Sequence, residues 1–289
     1  STDTSPIRII TFGSKTGLLK KKRDAIEGNT ISNRSVIAAF GISNVEKSKL
    51  NLVYEMFSNH IAPAMLPTNS LMGFIKRNLR DRKNDKMKKF ILHFLKASDF
   101  NISDISIHDE EIKINSDMEA FIRNAPSMSD KEKNEIIQKG IIKKDELFFT
   151  HHTTNGDIEL NEELESMGTK RYMGLATILY DLLARGVFLP IDEIETSIHY
   201  ELLSYFIRVF LVNSKKHSQL IMTTHDINLL DENYIRRDTI WFTDKNDCGE
   251  TQLLRLSSLG LHKTISVYNA YKQEKLVDLP FTESIYIDK

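Results

Sequence analysis

Two adjacent carboxylates follow an almost entirely apolar run in the second half of the chain. Residues 186–191 are predicted to form a buried strand, and Asp192 and Glu193 come directly after it. Ligands of α/β sheets bind beyond the carboxyl ends of the strands. One carboxylate there can hold Mg²⁺, and the second can orient or deprotonate an attacking water. The pair indicates magnesium nucleotide chemistry, although an exposed acidic loop after a strand can have the same sequence.

A histidine follows the next predicted strand. Residues 219–223 lead into Thr223-Thr224-His225-Asp226. If this strand lies near the strand at residues 186–191, His225 comes to the same edge as the two acids. A histidine at that position can hydrogen-bond a γ-phosphate and respond to its presence. Taken alone, a histidine at position 225 would more often have a structural or helix-capping role, and Asp192 and Glu193 favour the functional one.

A third candidate lies at the start of the helix that precedes the acidic strand. The segment reads Glu165-Ser166-Met167-Gly168-Thr169-Lys170-Arg171. Ser166 can cap this helix, and the free amides of a helix start can bind an anion. As an N-cap the segment is ordinary, so its order relative to the other two motifs is what makes it informative.

The elements that must position these residues are most regular in the second half of the chain, where strands alternate with helices. That alternation favours an α/β sheet. There, strands are predicted at residues 147–150, 158–160, 186–191, 219–223, 239–243 and 252–256, and helices at 166–184, 199–212 and 227–230. In the first half, helical spacing predicts helices within 45–60, 71–100 and 115–143, an alternating strand at 105–114, and a strand or helix at 35–40.

The order of the three motifs resembles the ABC-type ATPase superfamily, in its SMC, RecF and OLD-like branch. A Ser-x-Gly helix, a strand with Asp-Glu and a strand with His correspond to the signature, Walker B and switch-histidine motifs. The segments ESMGTKR, LPIDEIETSIHYELL, QLIMTTHDINLLD and RRDTIWFTDK are similar to bacterial ATP-binding proteins linked to phage defence and abortive infection. The closer similarity covers about residues 148–256, and a weaker one covers 35–104.

The resemblance implies ATP and Mg²⁺ as cofactors and assigns roles to the residues of the two strand motifs. Asp192 would hold Mg²⁺, Glu193 would be the catalytic base, and His225 would be the switch histidine. Residues 195–199 would form the D-loop.

The helix-start motif implies a second subunit. Ser166, Gly168 and Lys170 would contact ATP bound on a partner copy, so the resemblance implies at least a homodimer. Met167 departs from the commoner LSGGQ form of this motif.

The implied fold is α/β: an ABC-ATPase-type nucleotide-binding lobe with a mainly parallel sheet, plus a helical lid subdomain. We expect an incomplete N-terminal segment at residues 1–40, the lid or insertion at 41–143 and the signature and Walker B lobe at 144–289. The implied function is an ATP-dependent switch that senses or regulates in anti-phage defence, with a toxin or nuclease as its effector partner.

A complete Walker A loop, G-x-x-x-x-G-K-[ST], is missing from the sequence. The nearest match, residues 41–48, has Glu46 where glycine would let the backbone approach phosphate. The chain has only 12 glycines among 289 residues, and a phosphate loop usually uses several. We expect either that an upstream lobe carries Walker A or that the nucleotide site is degenerate. The intact Asp192, Glu193 and His225 favour the first.

A basic stretch from Lys76 to Lys89 is the other candidate site. Closely spaced cations can follow a phosphate backbone, so the candidate DNA contacts are Lys76, Arg80, Arg82 and Lys86. A solvated helix face explains the same pattern. The alternatives to the switch are therefore a DNA-repair ATPase that binds DNA ends and a non-catalytic interaction scaffold.

Composition narrows the class of protein. A net charge of -1, from 39 basic and 40 acidic residues, excludes a globally basic nucleic-acid binder. One cysteine, Cys248, excludes an intrachain disulfide framework and fits a reducing cytoplasm. No apolar run is long enough to cross a bilayer, for which about 18 residues are needed. We expect a cytoplasmic protein without a membrane partner.

Overall fold

The computed structural model describes residues 9–31, 33–43, 49–65, 70–80, 85–126, 128–214, 217–246 and 248–279. Its α-helices are α1 (Lys20–Asn29), α2 (Val36–Ile42), α3 (Lys49–Glu55), α4 (Ser70–Arg80), α5 (Asp85–Ala97), α6 (Ser116–Asn124), α7 (Asp130–Lys139), α8 (Met167–Arg185), α9 (Tyr200–Asn213) and α10 (Val267–Lys272). Its strands are β1 (Ile102–Lys113), β2 (Ile141–Thr153), β3 (Gly156–Asn161), β4 (Phe188–Ile191), β5 (Gln219–Met222), β6 (Trp241–Lys245) and β7 (Thr251–Arg255).

The chain divides into two compact units. One consists of Ser1–Met65, Asp181–Ile191 and Ser214–Ile221. The other consists of Leu66–Tyr180, Asp192–Asn213 and Met222–Lys289. No helix in the described ranges is long and apolar enough to span a membrane.

The first unit has a small core built by its N-terminal helices. Leu18, Ile26, Ala39 and Phe40 form this core. The ambiguous run at residues 35–40 falls in helix α2, because the Ser35 side chain accepts a hydrogen bond from the Ala38 amide (3.2 Å) and caps the helix start.

Strands β4 and β5 run side by side in the same direction. The Gln219 amide donates to the Val187 carbonyl (3.0 Å) before them, and the Ile194 amide donates to the Thr223 carbonyl (3.1 Å) after them. Residue numbers therefore increase in the same direction along both hydrogen-bonded segments, which is the pattern of a parallel pair. Helix α9 lies between the two strands in the chain, which fits the long crossover that parallel strands need.

The second unit contains the largest described sheet, which is antiparallel in the order β1-β2-β3. The tight turn at Asn155 and Gly156 joins β2 to β3, and a connection this short can join only antiparallel strands. The predicted mainly parallel sheet is therefore not confirmed. The observed content is mixed α/β.

The expected helical lid at residues 41–143 is not confirmed either. The described part of that range holds helices, but also β1 and the start of β2, which pair with each other. The hydrophobic pattern that favours an edge strand at 105–114 is borne out by β1. The domain boundaries stay predictions, and β2 runs across residues 143 and 144.

Helix α8 has a long buried segment in the second unit. Its residues 171–179 are all buried. The Tyr172 ring lies 5.0 Å from Phe94 of α5, and the Tyr172 hydroxyl bonds to Ser98 (2.8 Å) and to the Leu202 carbonyl (3.2 Å). Burial raises the pKa of Tyr172 well above its ordinary value, so it remains a neutral donor. These contacts fix the helix whose first residues are candidate site residues.

A hairpin and a short helix complete the second unit. β6 and β7 pair antiparallel, close to the two strands predicted at residues 239–243 and 252–256. One face of this hairpin packs on α10 through Phe242, Leu254 and Val267. Cys248, in the turn of the hairpin, is an exposed free thiol.

Candidate functional site

The acidic turn after β4 has an unusual backbone. Asp192 and Glu193 are exposed, whereas Ile194 is completely buried. Glu193 has φ of 43° and Ser197 has φ of 61°. A non-glycine residue in this left-handed region costs about 1–3 kcal/mol, and such strain concentrates at functional sites. The surrounding contacts must therefore hold this turn in place.

Thr223 supplies three of those contacts. Its hydroxyl accepts a hydrogen bond from the Glu193 amide (2.9 Å) and donates one to Asp192 Oδ1. Its carbonyl accepts from the Ile194 amide (3.1 Å). One residue at the end of β5 therefore fixes the turn that carries both acids.

Glu195 makes a second connection between the turn and the segment after β5. Its Oε1 accepts a hydrogen bond from the backbone amide of His225 (2.7 Å). Its Oε2 is buried and has no hydrogen-bond partner among the described residues. Hydrogen bonds of Thr223 and Glu195 therefore join the turn that carries Asp192 and Glu193 to the segment that carries His225.

Glu195 also interacts electrostatically with helix α8. Arg171 of this helix is only 7% exposed. Burial lowers the pKa of its guanidinium, and the negative charge of Glu195 acts in the opposite direction. One carboxylate thus links α8, the acidic turn and the backbone of His225.

The start of α8 agrees with the predicted N-cap. The Ser166 Oγ accepts a hydrogen bond from the Thr169 amide (3.0 Å) and bonds to the Thr169 hydroxyl (2.8 Å). Ser166 is exposed, and Met167 beside it is 55% exposed. The helix start therefore presents a polar and an apolar side chain to the surroundings.

Gly168 lies against the acidic turn. A Cβ atom at this position would be 3.0 Å from the carbonyl oxygen of Ser197, which is closer than side-chain carbons normally come. Glycine allows the α8 start and the turn to approach this closely.

We predict that Gly168→Ala destabilises the protein by about 1 kcal/mol, because the contact with Ser197 outweighs the better helix propensity of alanine. Gly73 in α4 is the matched control, since nothing lies within 4 Å of its added Cβ. Gly73→Ala should stabilise by about 0.5–1 kcal/mol. Urea denaturation of both variants measures the two signs, and equal stabilisation by both would contradict the close approach at Gly168.

The loop before α8 is anchored by basic side chains from other elements. Lys170 donates to the Glu162 carbonyl (2.9 Å), and Lys76 of α4 forms an ion pair with the Glu162 carboxylate. His151 of β2 contacts the Glu165 carboxylate. The ammonium of Lys170 is thus directed at the loop in this conformation. The acids of this loop are a feature that the sequence reasoning missed.

A family model matches residues 41–231, which are 191 of the 289 residues. Its description is "AAA domain, putative AbiEii toxin, Type IV TA system". The chain belongs to this family. No curated protein matches the chain in sequence. Membership makes it an ABC/AAA-like ATPase relative associated with abortive-infection systems, and AAA domains generally bind nucleotide.

The donors of this AAA domain fit a magnesium ion held mainly by a nucleotide. Among the described residues, no group of three His, Cys, Asp or Glu side chains could form a metal cage. Mg²⁺ usually takes one or two carboxylates, and phosphates and waters supply the remaining ligands. Asp192 is an exposed carboxylate that is oriented by a hydroxyl, so its chemistry suits that arrangement.

Two of the candidate DNA contacts in the basic stretch of the AAA domain are engaged with acids. Lys76 pairs with Glu162, and the Arg80 guanidinium binds Asp109 (2.9 Å) and Asp145 (2.9 Å). Lys86 is exposed, and no described residue pairs with it. Arg82 lies outside the described residues, as do residues 44–48 of the near Walker A match. Two of the four DNA candidates thus hold α4 to the antiparallel sheet.

His151 and His152 of the AAA domain point away from each other, as expected for adjacent strand residues. His151 contacts Glu165, whereas the exposed His152 bonds to Asp157 (2.7 Å). They do not form a shared metal site.

An open cleft of about 520 Å³ lies within the first unit of the AAA domain. It is lined by Met56, His60, Ile61, Arg185, Gly186, Phe188 and His217. None of these is a residue that the sequence motifs single out.

Proposed function

We propose that this AAA domain is an ATP-dependent switch that binds ATP with Mg²⁺ and hydrolyses it at the edge carrying Asp192, Glu193 and His225. The observation that carries the proposal is the pair of cross-links there, from Thr223 to both acids and from Glu195 to the His225 amide. A dead site would have little use for all three side chains in this arrangement. Family membership supports nucleotide binding, and the motif order favours the SMC, RecF and OLD-like branch.

Each residue has a role that suits its surroundings. Asp192 is the carboxylate for Mg²⁺, which when bound would neutralise charge on the phosphates. Glu193 is exposed and can take a proton from, or orient, the attacking water. The His225 side chain is exposed while its backbone is held by Glu195, so the imidazole is free to bind a γ-phosphate.

The proposed cycle needs a second copy of the chain. Ser166 and Gly168 at the exposed start of α8 would contact ATP held on the partner subunit, where helix amides favour anions. Lys170 would join them by releasing its bond to the Glu162 carbonyl. ATP binding would close the pair and hydrolysis would open it. We propose that this cycle regulates an effector, a toxin or nuclease, in anti-phage defence.

Equilibrium binding of a fluorescent ATP analogue to the full-length protein, with and without Mg²⁺, tests the proposal. Asp192→Asn should weaken binding in Mg²⁺ by about 10-fold and leave binding in chelator unchanged. Asp278→Asn, which changes another exposed carboxylate, is the control. Absence of analogue binding by the wild-type protein would refute the switch and favour an interaction scaffold.

A further inference from the structure

We infer that Thr223 is the positioning residue of the proposed ATPase site: its hydroxyl sets the geometry of Asp192 and Glu193 together. The catalytic consequence of this inference rests on the proposed function. The hydrogen-bond geometry of Thr223 does not depend on nucleotide.

These two contacts use the only proton of the Thr223 hydroxyl and one of its two lone pairs. Its single proton goes to Asp192 Oδ1, and a lone pair accepts the Glu193 amide at 2.9 Å. Among the described residues, no other group hydrogen-bonds the Asp192 carboxylate. The orientation of that carboxylate therefore depends on this hydroxyl.

The same hydroxyl also supports the strained backbone of Glu193. A φ of 43° is unfavourable for glutamate, and the amide of Glu193 has its bond to Thr223 to offset that cost. Without the bond, the residue is free to relax toward ordinary backbone angles. Such a rotation would redirect the carboxylate that the proposal treats as the base.

The rest of the connection does not depend on the side chain at position 223. The Ile194 amide donates to the backbone carbonyl of Thr223 (3.1 Å), and every substitution keeps that carbonyl. Thr223 is also exposed, so its replacement leaves the core intact. Thr223→Val keeps the branched shape without the hydroxyl, and Thr223→Ser keeps the hydroxyl without the methyl group.

Amide hydrogen exchange in nucleotide-free, magnesium-free protein tests the geometry by itself. In Thr223→Val, the Glu193 amide should exchange about 10-fold faster, while the Ile194 amide should keep its wild-type rate. Thr223→Ser should exchange like the wild type at both amides. Unchanged exchange at Glu193 in Thr223→Val, or Thr223→Ser behaving like Thr223→Val, overturns the inference.

Steady-state ATP hydrolysis by the full-length protein tests the consequence. Thr223→Val should lower kcat about 10–100-fold and change KM by less than about 3-fold, because misplacing a reacting group costs rate more than binding. Thr223→Ser should recover kcat to within about 3-fold. A changed KM with unchanged kcat contradicts positioning. If the wild type itself does not hydrolyse ATP, the proposed function fails, and the exchange rates still decide the role of Thr223.

Discussion

Glu193→Gln should lower kcat for ATP hydrolysis at least about 100-fold while ATP stays bound, because glutamine cannot accept the proton of the attacking water. The substitution leaves the fold intact. Glu193 is exposed, and its backbone bonds to Thr223 and Thr196 involve no carboxylate oxygen. The side-chain contact from Thr196 to Glu193 Oε2 (3.4 Å) can pass to an amide oxygen.

Rapid-quench single-turnover hydrolysis by the full-length protein measures this loss directly, and light scattering measures whether ATP now traps a closed oligomer. We expect a larger particle with ATP for the variant than for the wild type. Glu201→Gln is the matched control, since Glu201 is an exposed acid in the first turn of α9. Unchanged turnover in Glu193→Gln would remove Glu193 from the chemistry.

The elements around this site could be predicted closely because their signals are local. The helices predicted at residues 166–184 and 199–212 are Met167–Arg185 and Tyr200–Asn213. Apolar spacing and a capping serine are enough to place such helices. The antiparallel direction of the sheet β1-β2-β3 could not be predicted from such local signals. It depends on pairing Ile105 with Phe149, far along the chain, which periodicity does not encode.

Some side chains of the proposed site could be found from local sequence patterns, and others could not. Asp192, Glu193 and His225 stand at the ends of predicted strands, which is why the sequence alone singles them out. Thr223 and Glu195 were missed as positioning groups because their roles are hydrogen bonds between separate segments. The sequence does show the hydroxyl of Thr223 and the carboxylate of Glu195 close to the motif residues, but it does not show what they bond to.

The basic stretch shows what the pattern of a single helix leaves out, since two of its cations pair with acids of other segments. Lys76 and Arg80 look like surface cations when only their own helix is considered. Their partners Glu162, Asp109 and Asp145 lie in the sheet or in the loop that follows it. Charge pairing between distant segments therefore lowered the case for a DNA surface in the described part of α4.

Glu195→Gln should destabilise the protein by about 1–3 kcal/mol, because it removes the negative charge that acts on the buried guanidinium of Arg171. The amide oxygen of glutamine can still accept the hydrogen bond from the His225 amide. The loss of stability therefore measures the effect of the charge of Glu195 and not the effect of that hydrogen bond. Glu201→Gln, on an exposed helix face, should stay within about 0.5 kcal/mol of the wild type.

A double-mutant cycle with Arg171→Met isolates the interaction between Arg171 and Glu195 from the other effects of each substitution. Urea denaturation of the four proteins should give a coupling energy of about 1–3 kcal/mol between positions 171 and 195. The double variant should recover stability relative to Glu195→Gln, since an apolar side chain replaces the buried charge of Arg171. A coupling energy near zero would mean that Glu195 serves the His225 backbone alone. In that case the approach of Gly168 to Ser197 would remain as a contact between α8 and the acidic turn.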